Sequence, residues 1–193
     1  MKSGFLGDLV VLTLRDPAAA LRILRSFELP MSVRWMALVL SVVLSTLLAS
    51  LSLMLFPVEV QTAVSAVLAQ PVTLALVQFV AMVVSALMMA QVGRLFGGQG
   101  NFADALLIVA WVELLLVGLQ GLQLVLMMLV PATASMLSII AFGLFLYLAV
   151  AMTKALHGFA STGKVVLGLV GSLFVLGFVL SLLAAAFGIV PEV

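Results

Sequence analysis

Glu113 is the residue most able to do chemistry in this sequence, because it is an acid inside an apolar run. It falls nine residues after Asp104, about 13 Å along a helix, near the middle of a hydrocarbon layer roughly 30 Å thick. The apolar runs contain no Lys or Arg that could pair with it. An ionised carboxylate alone at that depth is costly, so Glu113 must be protonated, hydrogen-bonded or open to water. Gln120 lies on nearly the same helix face two turns on, with Gln123 close by, and Gln78 and Ser85 share a face of the preceding run. These residues predict a polar seam between two neighbouring membrane helices. Such a seam serves either as an interhelical hydrogen-bond clamp or as a proton or solute site. A single acid without a relay favours the clamp.

The segment from Gly158 to Lys164 (Gly-Phe-Ala-Ser-Thr-Gly-Lys) comes close to a phosphate-binding loop. However, Val165 stands where a magnesium-binding Ser or Thr is needed, and an apolar helix precedes the loop in place of a buried strand. The reading is therefore a helix link with cations at headgroup level. His157 beside it reads as an interfacial histidine, and the eleven methionines as packing or lipid-facing residues. With no cysteine and one histidine, thiolate chemistry is excluded, and a protein-only zinc site is argued against. No nucleophile–base pair or paired carboxylates stand together, so no catalytic residue, metal, cofactor or enzymatic activity is expected.

These residues sit on elements that composition identifies. Of 193 residues, 66% are hydrophobic and 8% charged, with a mean hydropathy of +1.44. Soluble domains carry about 25% charged residues, so this chain cannot cover a water-facing surface and belongs in a membrane. The first thirty residues carry Asp8, Arg15, Asp16, Arg22, Arg25 and Glu28, which break up any signal-type apolar core. The Asn101-Phe102-Ala103 triplet is no glycosylation acceptor.

Five spans are expected, at residues 35–56, 73–92, 105–130, 135–152 and 165–187. Asp16-Pro17 predicts a helix start, with Ala20, Leu21, Leu24 and Phe27 on one face and Arg15, Arg22 and Arg25 on another. This is the pattern of a short interfacial helix and equally of a solvated cytosolic helix that packs against the bundle. Ser41, Ser45, Ala49 and Ser52 form a small-residue ridge on the first span, suited to close helix packing. A further short interfacial helix is expected over 57–71. The polar stretch 93–104 links the second and third spans: Gly97, Gly98 and Gly100 permit a tight reversal. Asn101 then caps the next helix, and Asp104 suits its positive end.

With five spans, every one of the eight cations falls on one side, and the opposite side carries only Glu59 and Glu192. The positive-inside rule then puts the N-terminus in the cytoplasm and the C-terminus outside.

The layout resembles the Yip (Ypt-interacting protein) family of five-span membrane proteins, over most of the chain from Asp16 to the end of the last span. The resemblance is carried by Asp16-Pro17, by Gly97-Gly98-Gln99-Gly100-Asn101-Phe102 opening the third span, and by Leu156-His157-Gly158 with Gly163-Lys164 opening the fifth. It implies a cytosolic N-terminus and a cytosolic-face motif of Gly97, Gly98, Gly100, Asn101, His157 and Lys164. Eukaryotic members are implicated in vesicle trafficking and contact small prenylated GTPases. The longer acidic and aromatic N-terminal region of those members is absent here, which argues against a GTPase partner. The chain is more similar to the short bacterial branch, and a bacterial inner-membrane location follows from that likeness.

The expectation is an all-α membrane protein with five transmembrane helices and a short N-terminal interfacial helix. Residues 1–34 form a cytosolic or interfacial segment, 35–187 the membrane domain and 188–193 a short tail. The expected role is membrane-organising or adaptor, through contacts with the lipid bilayer, with other membrane proteins or with a second copy, and not with nucleic acid. The competing roles are a small transporter or channel subunit using Glu113, and an accessory subunit of a larger membrane complex.

Overall fold

Asp16 and Pro17 start a helix by the expected mechanism: the Asp16 carboxylate accepts from the Ala19 N–H at 2.9 Å, and Pro17 takes the first helical position. The computed structural model describes residues 4–57, 70–130 and 134–186, and these form helices joined by short links. In chain order they are α1 (Phe5–Arg15), α2 (Pro17–Ser26), α3 (Met31–Leu55), α4 (Pro71–Leu95), α5 (Phe102–Leu129), α6 (Ala134–His157) and α7 (Thr162–Ala186). Four of them, α3 to α6, are long and apolar enough to cross a membrane; in α7 the described apolar part is Thr162–Phe174. The helix expected over 57–71, Pro131, Glu59, Lys2 and the 188–193 tail lie outside the described residues, except that Pro71 opens α4.

The centre of the bundle is α5. Of its most apolar window 44% is buried, against 17–22% for α3, α4 and α6. It packs on α3, α4 and α6, so Leu106, Ile108 and Ala110 are fully enclosed. The small-residue ridge of α3 turns toward this centre at Ser41, which is buried, and at half-buried Ser45 and Ala49.

Helix α1 was not anticipated, since its charges read as part of a polar tail. It folds back on α2 as a hairpin, with the Phe5 and Phe27 rings edge-on at 5.9 Å. Thr13 on α1 accepts from Trp111 Nε1 at 3.1 Å, and the Tyr147 hydroxyl donates to the Leu14 carbonyl at 3.4 Å. Pro17, Ala20, Leu21 and Leu24 of α2 are buried against α6 and α5. The hairpin thus lies along the flank of the bundle, held by two polar bonds near its tip as well as by apolar packing. Glu28 takes a left-handed backbone (φ 46°), which lets the chain turn from α2 into α3 in a few residues.

Helix α4 stops by a Schellman motif. Gly97 is left-handed (φ 83°), its N–H donates to Arg94 O and the Gly98 N–H donates to Gly93 O, both at 2.9 Å. Those bonds satisfy carbonyls that a helix end leaves open. Asn101 then caps α5, its Oδ1 accepting from the Asp104 N–H at 2.8 Å. Helix α6 ends likewise at left-handed Gly158 (φ 69°), with the Phe159 N–H donating to Lys154 O.

Candidate functional site

The polar groups gather at two levels of the bundle: a seam within the apolar layer and an assembly at one end.

In the seam, the Gln78 amide of α4 donates to Glu113 Oε1 of α5 at 2.8 Å and to Ser45 Oγ of α3 at 3.0 Å. The Ser45 hydroxyl in turn donates to Gln120 Oε1 at 3.3 Å. Each group is used within its capacity, since a hydroxyl both donates and accepts, and an amide nitrogen carries two protons. The structure therefore brings together Gln78, Glu113 and Gln120, and adds Ser45, which the sequence offered only as a packing residue. Its clue was position: Ser45 is a polar residue mid-span in α3, within the same apolar layer as Gln78 and Glu113. Ser85 stands apart from these bonds. It lies seven residues, about 10 Å, from Gln78, and its hydroxyl returns to the Ala81 carbonyl at 2.7 Å. Ser85 does share with Glu113 the wall of a cavity of about 170 Å³ between α4, α5, α6 and α7, otherwise apolar apart from Ser172. Gln123 reaches α6 instead, donating to Ser138 at 2.7 Å.

At the end of the bundle, the imidazole of His157 is buried, with 4% exposed, although α6 has just ended. Its Nδ1 accepts from the Gly100 N–H at 3.1 Å, and its Nε2 lies 2.9 Å from the Met89 carbonyl. One nitrogen accepting and the other donating is the arrangement of the neutral Nε2–H tautomer. The ring fits because its neighbours have no side chains. A β-carbon at Gly93, Gly98 or Gly100 would come within 3.0 Å of imidazole atoms. Phe159 stacks on the ring, with centroids 5.3 Å apart. Gly100 is held from its other side, since its carbonyl accepts from Arg94 Nε at 3.0 Å.

Beside this cradle Asp104 joins two further segments to its own helix start. Its carboxylate meets Arg34 Nη1 of α3 at 2.8 Å and Arg25 Nη2 of α2 at 2.9 Å, and also accepts from Asn101 Nδ2 at 3.0 Å. Asp104 and Arg34 side chains are 13% and 11% exposed and Arg25 37%, so the Arg34 pair is the less screened of the two. Arg34 is also braced by donating Nε to the Leu29 carbonyl at 2.9 Å.

The sequence-derived cytosolic-face residues thus separate by role. Gly98, Gly100 and His157 form one contact set, Gly97 supplies the left-handed turn, and Asn101 caps α5 beside Asp104. Lys164 is exposed and lines a small crevice with Phe159 and Gly93, without joining the hydrogen bonds of the cradle. Sequence reasoning placed Gly93 only as the first residue of the link and not in the contact set, and it missed Asp104, Arg25 and Arg34 as partners. An acid at a helix start with unassigned arginines in the preceding segments was the available signal. The N-terminal segment, the α4–α5 link and the α6–α7 link consequently meet at one end of the bundle.

The family model of the Yip1 domain matches residues 11–183, from the middle of α1 to near the end of α7. No curated protein and no solved structure gives a significant match. With the matched region covering nearly the whole helical bundle, the chain belongs to the Yip family and is a multi-pass integral membrane protein.

Proposed function

We propose that this Yip-family chain is a non-catalytic organiser of the bacterial inner membrane. It spans the bilayer five times, with the N-terminus cytoplasmic and the C-terminus outside, and acts as an adaptor through its cytosolic end. One observation carries the reading: His157, Gly100 and Asp104 tie three separate stretches of chain into one fixed surface at that end. The polar groups there bond to each other and hold backbone in place, which is the use expected of a docking platform. Partners of this platform are other membrane proteins or a second copy of the chain. Nucleic acid has no place in this reading, nor does a GTPase.

The test is purification from native membrane under mild detergent, with identification of the proteins that come along. A defined membrane protein, or a dimer, should accompany the wild type and be lost when Gly98→Val spoils the cradle. Recovery of a lone monomer under every mild condition would remove the adaptor reading. A stoichiometric multi-subunit assembly would instead identify an accessory subunit.

A second reading rests on Glu113 bordering the 170 Å³ cavity: a small transporter or channel subunit. Its signature is a proton-coupled flux in vesicles that Glu113→Gln abolishes.

A further inference from the structure

Between the α1–α2 hairpin and the bundle runs a groove of about 600 Å³, lined by Leu9, Leu24, Phe27, Leu29, Leu107 and Trp111 among other apolar residues. Its rim joins the arginine cluster described above. Leu24 neighbours Arg25, Leu29 gives its carbonyl to Arg34, and Leu107 lies three residues after Asp104, on the same face of α5. An apolar channel opening beside guanidinium groups has the two chemistries of a phospholipid in their natural order.

The charges favour an anionic one. Arg25 and Arg34 share the single carboxylate of Asp104. Two guanidiniums against one carboxylate leave one positive charge in excess within that cluster. The Arg25 side chain is 37% exposed, so its guanidinium can be reached from outside, and phosphate oxygens suit guanidinium geometry well. We propose that the groove binds an anionic phospholipid from the surrounding leaflet, with an acyl chain along Leu9, Leu107 and Trp111 and the phosphate at Arg25 and Arg34. The site shares the Asp104 cluster with the proposed platform but not the His157 cradle, and lipid binding there does not require an adaptor role.

Trp111 is a built-in reporter, because it lines the groove while the other of the two tryptophans, Trp35, packs on Phe79 and Phe102. The protein carrying Trp35→Phe is reconstituted in phosphatidylcholine vesicles containing a small fraction of either phosphatidylglycerol or phosphatidylcholine with brominated chains. Bromine quenches tryptophan on contact, so the brominated phosphatidylglycerol should quench Trp111 at fractions where brominated phosphatidylcholine does not. Arg25→Gln should weaken that preference roughly fivefold, as for one cation lost near an anionic headgroup. Arg25→Lys should retain most of it, and Arg15→Gln, at the far tip of the hairpin, should leave it unchanged. Added inorganic phosphate should not relieve the quenching, since the chain and not the phosphate alone holds the lipid. Equal quenching by both lipids, a preference that survives Arg25→Gln, loss of preference in both Arg25 variants, or relief by inorganic phosphate would each overturn the proposal.

Discussion

The imidazole of His157 occupies the space in which a β-carbon at Gly93 would have to lie. Two residues from separate helices thus share one volume, and α4 and α6 approach at that point as closely as a ring against bare backbone allows.

Gly93→Ala tests this contact because two effects oppose each other. Alanine in the last turn of a helix gains about 1 kcal/mol over glycine. Expelling the buried ring costs two hydrogen bonds at about 0.5–1.5 kcal/mol each and overpacking of about 1–3 kcal/mol. The clash wins, so thermal stability in detergent should fall by about 2 kcal/mol. In the background of His157→Ala the same substitution should be neutral or stabilising, which a double-mutant cycle measures. A higher melting temperature for Gly93→Ala alone would show that the ring is not held there.

Asp104 should matter more than either arginine. Asp104→Asn leaves the Asn101 cap in place but strands two guanidiniums, at a cost of about 2 kcal/mol for a partly buried charge site. Arg34→Gln should cost less, and Arg25→Gln less than about 1 kcal/mol because that pair is the more exposed. Urea or thermal unfolding at two salt concentrations checks the order, and added salt should erase the Arg25 effect first.

Within the seam, Glu113→Gln keeps an oxygen for the Gln78 amide and should leave stability nearly unchanged. Glu113→Leu removes that acceptor and should cost on the order of 1 kcal/mol, the scale of one interhelical polar contact. Ser45→Leu, which deletes the hydroxyl and forces α3 away from α5, should cost more than either. Equal stability for all three, measured by thermal unfolding in one detergent, would mean that the seam does not hold the helices together.

Reporter fusions fix the orientation. A fusion in the α4–α5 link at Gly98 should report the cytoplasm, and one at Val193 the opposite compartment. Two cytoplasmic signals would refute five spans.

What could be read in advance followed from how far each signal reaches. Caps and turns are local, so Asp16-Pro17, Asn101 and the glycines after α4 could be assigned from neighbours alone. Spans α3 to α6 show in composition because lipid demands long apolar runs. The cradle was hidden because Gly100 and His157 are 57 residues apart, and a glycine needed for a neighbour's ring looks like a glycine needed for a turn. Helix α1 was hidden for another reason: Asp8 and Arg15 mask a helix whose packing depends on α2 and Trp111. Gln78 and Glu113 could be grouped because polar residues inside neighbouring apolar runs seek one another. Ser85 shows the limit of that reasoning: it shares a helix face with Gln78, yet its hydroxyl bonds only within its own helix.

The bond between Thr13 and Trp111 spans 98 residues, and that separation sets a schedule for biogenesis. At a synthesis rate of about 5–20 residues per second, the hairpin leaves the ribosome roughly 5–20 s before its partner on α5 exists. For that interval its apolar face has only the bilayer surface, the insertion machinery or a chaperone to cover it. Assembly must therefore run backwards relative to translation, the first helices made being among the last to reach their final seat.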